Sequence, residues 1–173
     1  DRYAIYGVIS PASMFINCHN LSITASSLLG CYNSNMKQAA KALIRDGQGN
    51  ILVLYRSETH PYLAHDIDLP GGEIESDETP EIGLEREIME ETGIAITLAS
   101  EDKVHSWRSF FGATHMLYET TVPTGVVVEI SWEHEAYVWM TEEEFAHSPA
   151  IDEFMHKVQE RLLSAGELHP VTA

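Results

Sequence analysis

GEIESDETPEIGLEREIMEETGI, residues Gly72–Ile94, holds nine acids and a single base, Arg86. Thr79 suits a helix N-cap, Pro80 the first helical position, and Gly93 the left-handed residue just past the last turn. A helix is therefore predicted between them. At roughly 100° per residue, Glu87, Glu90 and Glu91 share one sector of that helix, bordered by Leu84 and Ile88. Ile82 and Met89 fall well round the cylinder, which predicts a second apolar stripe and a helix wedged between layers. Like charges so close destabilise a helix, and a solvated face would interleave Lys or Arg at i±4. Carboxylates converging without cationic neighbours are what hard divalent cations such as Mg²⁺ or Mn²⁺ require.

Working outward, Leu69-Pro70-Gly71-Gly72 closes a loop predicted over His60–Asp68. Gln38–Arg45 and Ile51–Arg56 read as strands flanking the turn-rich Asp46-Gly47-Gln48-Gly49-Asn50. Beyond the helix, strands are predicted at Ile96–His105, His115–Val122 and Ala136–Met140. Thr141-Glu142-Glu143-Glu144 has the capping-box pattern of a short helix. Ser148-Pro149 is expected to open a final helix, with Gly166 just past its end. Helices and strands mix without strict alternation, which points to α+β, or an α/β/α sandwich on a mixed sheet.

The chain of 173 residues is one domain in length, and 44% hydrophobic with 21% charged residues rules out disorder and a disulfide scaffold. Its net charge is −17, and residues 1–36 contribute only Asp1 and Arg2, so residues 37–173 carry all of it. Such a field repels nucleic-acid backbones and anionic membranes, so neither is an expected partner. A phosphorylated substrate would be repelled too, unless cations stand between. Residues 1–36 read as an N-terminal arm: a strand pair, a dimer-forming arm that would make the protein a homodimer, or a leader. Cys18 and Cys31 have no metal-ligand spacing and read as reduced thiols of a cytoplasmic protein, with a Cys18–Cys31 bridge as the alternative. No run of 18 apolar residues occurs. Tyr3–Ile16, interrupted by Ser10, Pro11 and Ser13, reads as neither signal peptide nor anchor.

Gly72, Glu78, Arg86-Glu87, Ile88, Glu90-Glu91, Gly93 and Ile94 stand at the spacing of the Nudix box, and the chain resembles the Nudix hydrolase family from about Lys37 to Leu163. The resemblance implies an α/β/α sandwich and Mg²⁺-dependent hydrolysis of a nucleoside diphosphate linked to another moiety. It also implies that Glu87, Glu90 and Glu91 ligate metal, with a backbone carbonyl at Gly71 or Gly72 adding an oxygen. Glu78 and Arg86 would form the ion pair that fixes loop to helix. Water would attack phosphorus, and the cations would lower its pKa and neutralise the leaving phosphate.

A further glutamate in this family comes from a distant loop. Ser131-Trp132-Glu133-His134-Glu135 resembles the Glu-His segment before a tryptophan-containing strand in several members, nominating Glu133 as ligand or general base, with Glu135 in reserve. Glu87 is the competing base. Arg56, ending the second strand, is a candidate for the substrate's phosphates; Lys41 and Arg108 rank below it. His60 and His65 lie in the loop before the glycines. Trp107, Phe110 and Phe111 could stack on a base or pack in the core.

Marks of the coenzyme A, ADP-ribose, dinucleoside polyphosphate, NADH and decapping subfamilies are incomplete or missing. For coenzyme A, Pro61 and His65 replace an expected arginine and glycine; Ser109 stands where a proline marks ADP-ribose enzymes. A small-molecule nucleotide, most simply a (deoxy)nucleoside triphosphate, is the expected substrate, with nucleoside diphosphate sugars or ADP-ribose as the alternative. Isopentenyl-diphosphate isomerases share the Trp-Glu-His-Glu-like segment but need a pocket cysteine. A non-catalytic nucleotide sensor would typically have lost a box glutamate.

Overall fold

A computed structural model describes residues 37–109, 112–150 and 152–167. All lie in the second of the two units into which the chain divides, Asp1–Asn35 and Met36–Ala173. The expectations for the N-terminal arm, Cys18, Cys31, Phe110 and Phe111 fall outside the described residues.

Among the described residues, seven strands form one mixed sheet: β1 (Gln38–Arg45), β2 (Ile51–Arg56), β3 (Ile67–Asp68), β4 (Glu73–Ile74), β5 (Lys103–Arg108), β6 (Thr114–Thr121) and β7 (His134–Met140). β1 runs parallel to β6 along its whole length, β5 pairs antiparallel with β6, and β7 pairs antiparallel with β2. β1 and β2 meet only at Arg45 and Ile51, then splay apart. The segment 67–74 fills the gap: β3 pairs with β2 and β4 with β1. Between these short strands, the Ala42 and Ala40 N–H groups donate to the carbonyls of Pro70 (2.9 Å) and Gly72 (3.0 Å). A chain wedged this tightly needs glycine. Gly71 sits at φ +125°, and a Cβ there would lie 2.3 Å from the Ala40 carbonyl oxygen.

Alternation along the strands sends side chains to two cores. Ala40, Ala42, Ile44, Leu52, Leu54, Met116 and Tyr118 face α1 (Pro80–Thr92), meeting Leu84 and Ile88. Leu43, Ile51, Val53 and Leu117 face α2 (Glu142–His147) and α3 (Glu153–Glu167), meeting Phe145, Phe154, Met155 and Val158. The result is the α/β/α sandwich on a mixed sheet.

The ends of α1 follow their local chemistry. Thr79 accepts from the Ile82 N–H, and Gly93 turns left-handed at φ 68°, donating to the Met89 carbonyl. Its second apolar stripe, however, is not wedged: Ile82 and Met89 are 56% and 46% exposed, so α1 covers the sheet with one face. Residues 94–99 form no strand. Ile94 and Leu98 do alternate inward, but against the α1-side core, and the Leu98 N–H donates to Glu85 of the helix (2.6 Å) instead of a ladder. The loop read over His60–Asp68 ends in β3. The last helix starts later than Ser148-Pro149. Asp152 caps it, its Oδ1 accepting from Phe154 (2.7 Å) and Met155 (3.2 Å), and it runs through Gly166. No helix among the described residues is long and apolar enough to cross a membrane.

Candidate functional site

The wedge 69–72 and the last two turns of α1 face one another, and the acids of the helix divide by depth. Glu91 is 7% exposed, and its Oε2 accepts from the Gly71 N–H at 2.7 Å. Burial pushes its pKa up to about 8, against the pull of Lys41 and the Gly71 N–H, with Asp68 and Glu87 raising it further. Glu87 is half-buried against Gly72, where a Cβ would stand 2.7 Å from Oε2. Its pKa too is raised, first by burial, with Arg86 opposing and Glu90 and Glu133 adding to the rise. Glu90 points to solvent.

Arg86 grips Glu78 as a fork, Nε to Oε1 at 2.8 Å and Nη2 to Oε2 at 2.9 Å, pinning the 75–78 turn to the helix. That hydrogen bond holds the Glu78 carboxyl below the usual range. The remaining nitrogen, Nη1, reaches Glu87 Oε1 at 2.8 Å and Glu90 Oε2 at 3.4 Å. Among the described residues no three carboxylate or imidazole groups are already gathered about one point: Arg86 draws Glu87 and Glu90 one way and Gly71 holds Glu91.

The donor set nevertheless fits a hard divalent cation. Its members are carboxylate and carbonyl oxygens, Glu91 is a buried acid with no ion pair to Lys or Arg among the described residues, and Gly72 clears the space that the Glu87 carboxylate occupies.

Glu133 is carried to the helix by backbone bonds. The Glu129 N–H donates to the Thr92 carbonyl (2.8 Å) and the Ser131 N–H to that of Glu91 (3.0 Å), while the Ser57 N–H holds the Glu133 carbonyl (2.8 Å). Its charge is felt by Glu87. Glu135 points elsewhere, pairing with His65 on the surface at 2.8 Å.

Behind the wedge lies a charge network that the sequence did not announce. Asp68 is buried, with Oδ1 2.6 Å from Lys41 Nζ and Oδ2 2.9 Å from both Nε and Nη2 of Arg56. Burial would raise its pKa, but Lys41 and Arg56 outweigh that and hold it low. Lys41 also donates to the carbonyls of Leu69 (3.1 Å) and Gly71 (3.0 Å). It thus fixes the wedge. Arg56 is buried, with Asp152 at 3.7 Å and its Nη1 without a hydrogen-bond partner among the described residues. His60 bonds locally to Tyr62. Trp107 stacks on His115 (5.6 Å between centroids) and meets Phe154 at 4.7 Å, with Trp107 Nε1 unpartnered among the described residues. His134, one of nine histidines with no ligand pattern in sequence, is fully enclosed beside Glu91. Burial pushes its pKa down to about 4, so the ring is neutral.

A family model described as the NUDIX domain matches residues 36–162. A MutT-like protein of Streptomyces ambofaciens is 32% identical over 111 residues, covering 64% of this chain and 67% of its own. An 8-oxo-dGTP diphosphatase of Haemophilus influenzae is 40% identical over 57 residues, 33% of this chain and 41% of its own length. The crystal structure of a MutT protein from Methanosarcina mazei superposes with a TM-score of 0.64 at 26% identity, covering 78% of this chain and 98% of that one.

Proposed function

The chain belongs to the NUDIX family and by that membership is a pyrophosphohydrolase, and we propose that residues 37–173 form a domain that hydrolyses a (deoxy)nucleoside triphosphate to the monophosphate and pyrophosphate with Mg²⁺, Mn²⁺ substituting. One observation carries this reading: Glu87 and Glu91 stand against the Gly71–Gly72 backbone on a helix locked to its loop by the Glu78–Arg86 fork. The diphosphatase named above favours a triphosphate over a nucleotide sugar.

Glu87, Glu90, Glu91, Glu133 and the carbonyl of Gly72 or Gly71 are the proposed metal-holding groups. Mg²⁺ bound there supplies charge neutralisation at the leaving phosphate and acidifies the attacking water. The chain's own part is positioning and proton transfer. Arg86 holds the loop and helix in register through Glu78. Arg56 Nη1, which has no hydrogen-bond partner among the described residues, is the proposed donor to a substrate phosphate. A carboxylate oxygen of Glu133 or Glu87 takes the water proton; the water oxygen bonds to phosphorus, the bridging P–O bond breaks, and the leaving phosphate departs with the electron pair.

A panel of nucleoside triphosphates, nucleoside diphosphate sugars and ADP-ribose, read by product chromatography, tests this. We expect monophosphate and pyrophosphate from at least one triphosphate, lost with EDTA and restored by Mg²⁺ or Mn²⁺. Turnover confined to the sugars or ADP-ribose contradicts the substrate, and full rate in EDTA contradicts the metal role.

A further inference from the structure

His134 is 4% exposed, yet neither ring nitrogen has a hydrogen-bond partner among the described residues. Buried polar atoms are nearly always paired, so an enclosed imidazole with two unpaired nitrogens is itself an observation that needs a partner. Its Nε2 lies 3.9 Å from Glu91 Oε1, just outside hydrogen-bond range. The other oxygen of Glu91 is anchored by the Gly71 N–H. One end of the carboxylate is therefore fixed and the other faces an uncommitted nitrogen. The ring is placed there by the turn that also delivers Glu133: the His134 N–H donates to the Ser131 carbonyl at 3.2 Å, and residue 134 stands in register with Arg56 of β2.

We propose that His134 is a positioning residue of the cation site: its Nε2–H closes onto Glu91 Oε1 and fixes which lone pairs of that carboxylate face the metal. The proposal rests on the reading of Glu91 as a ligand. Carboxylates that hold metals are characteristically oriented by such a bond from behind, and its loss typically costs 10–100-fold in metal affinity. One N–H directed at Glu91 is all that is required.

The test is Mn²⁺ affinity of the full chain without nucleotide, read from the resonance of free Mn²⁺ at fixed ionic strength. Gln carries its amide nitrogen near the position of Nε2, and Asn carries it near Nδ1. His134→Phe should weaken Mn²⁺ binding about 10–100-fold. His134→Gln should stay close to wild type, and His134→Asn should resemble the Phe variant. In a Glu91→Gln background, His134→Phe should add nothing, since both act through one group. Unchanged affinity in His134→Phe overturns the proposal, as does equal loss in the Gln and Phe variants, which would make the ring a direct ligand. If the Phe variant does not fold, the Gln and Asn pair decides. Loss of affinity in Glu91→Gln with none at position 134 overturns the proposal alone. Wild-type affinity in Glu91→Gln removes the ligand reading and the proposal with it.

Discussion

Glu133 and Glu87 are the two proposed bases for the attacking water, and the charge of Glu133 is among the causes that raise the Glu87 pKa. If Glu133 is the base, Glu133→Gln should lower kcat roughly 10²–10⁴-fold while KM stays near its original value. If it is chiefly a ligand, the Mg²⁺ concentration needed should rise and saturating metal should recover much of the rate. Wild-type kcat at limiting Mg²⁺ would remove Glu133 from the site. At this scale the sequence spoke through spacing: Glu78 and Arg86 lie eight residues apart, and they meet because a turn and two helical turns bring them together. His134 and Asp68 were not legible as site neighbours, and Lys41 was legible only as a lower-ranked phosphate candidate. Nothing local pairs them with Glu91 or Gly71; their meeting depends on how β1, β2 and β7 open around the wedge.

At the scale of elements, the short strands β3 and β4 and the tight chain between them hold the site's backbone, and Asp68 is their clamp. Its two oxygens join Lys41 of β1 to Arg56 of β2 across the gap where those strands part. Asp68→Asn should destabilise the fold by about 3–5 kcal/mol at neutral pH, because it leaves the buried Arg56 and the partly buried Lys41 short of a partner. The Asp68 pKa is held below its ordinary value, so the stability it contributes is present above the unfolded carboxylate range and lost as pH falls through the folded pKa. Denaturant titrations should therefore show the gap between wild type and Asp68→Asn narrowing below about pH 4. A constant gap would mean that Asp68 acts through shape instead of charge. Helix ends were legible here because Thr79, Pro80, Gly93 and the Thr141 capping box act within one turn. Residues 96–99 misled because alternation reports burial and not pairing: Leu98 alternates inward but gives its N–H to a helix side chain.

For the molecule as a whole, the sandwich could be read from mixed strands and helices, while the outward face of Ile82 and Met89 could not, since periodicity does not say which stripe meets the sheet. Net charge states the central problem: a chain of −17 turns a buried carboxylate, Glu91, toward the place where an anionic substrate is proposed to react. The proposed divalent cation, held by Glu91 and its neighbours, would resolve it, and its binding to the folded state alone would raise stability by RT ln(1 + [L]/Kd), about 1.4 kcal/mol at ten times Kd. The most direct measurement is the melting temperature of wild type and Glu91→Gln, with and without Mg²⁺, at matched ionic strength. Mg²⁺ should raise the wild-type melting temperature by several degrees. The metal-free Glu91→Gln protein should melt no lower than metal-free wild type, and Mg²⁺ should leave it nearly unmoved. An equal Mg²⁺ shift in both proteins, or none in wild type at concentrations that support turnover, would contradict it.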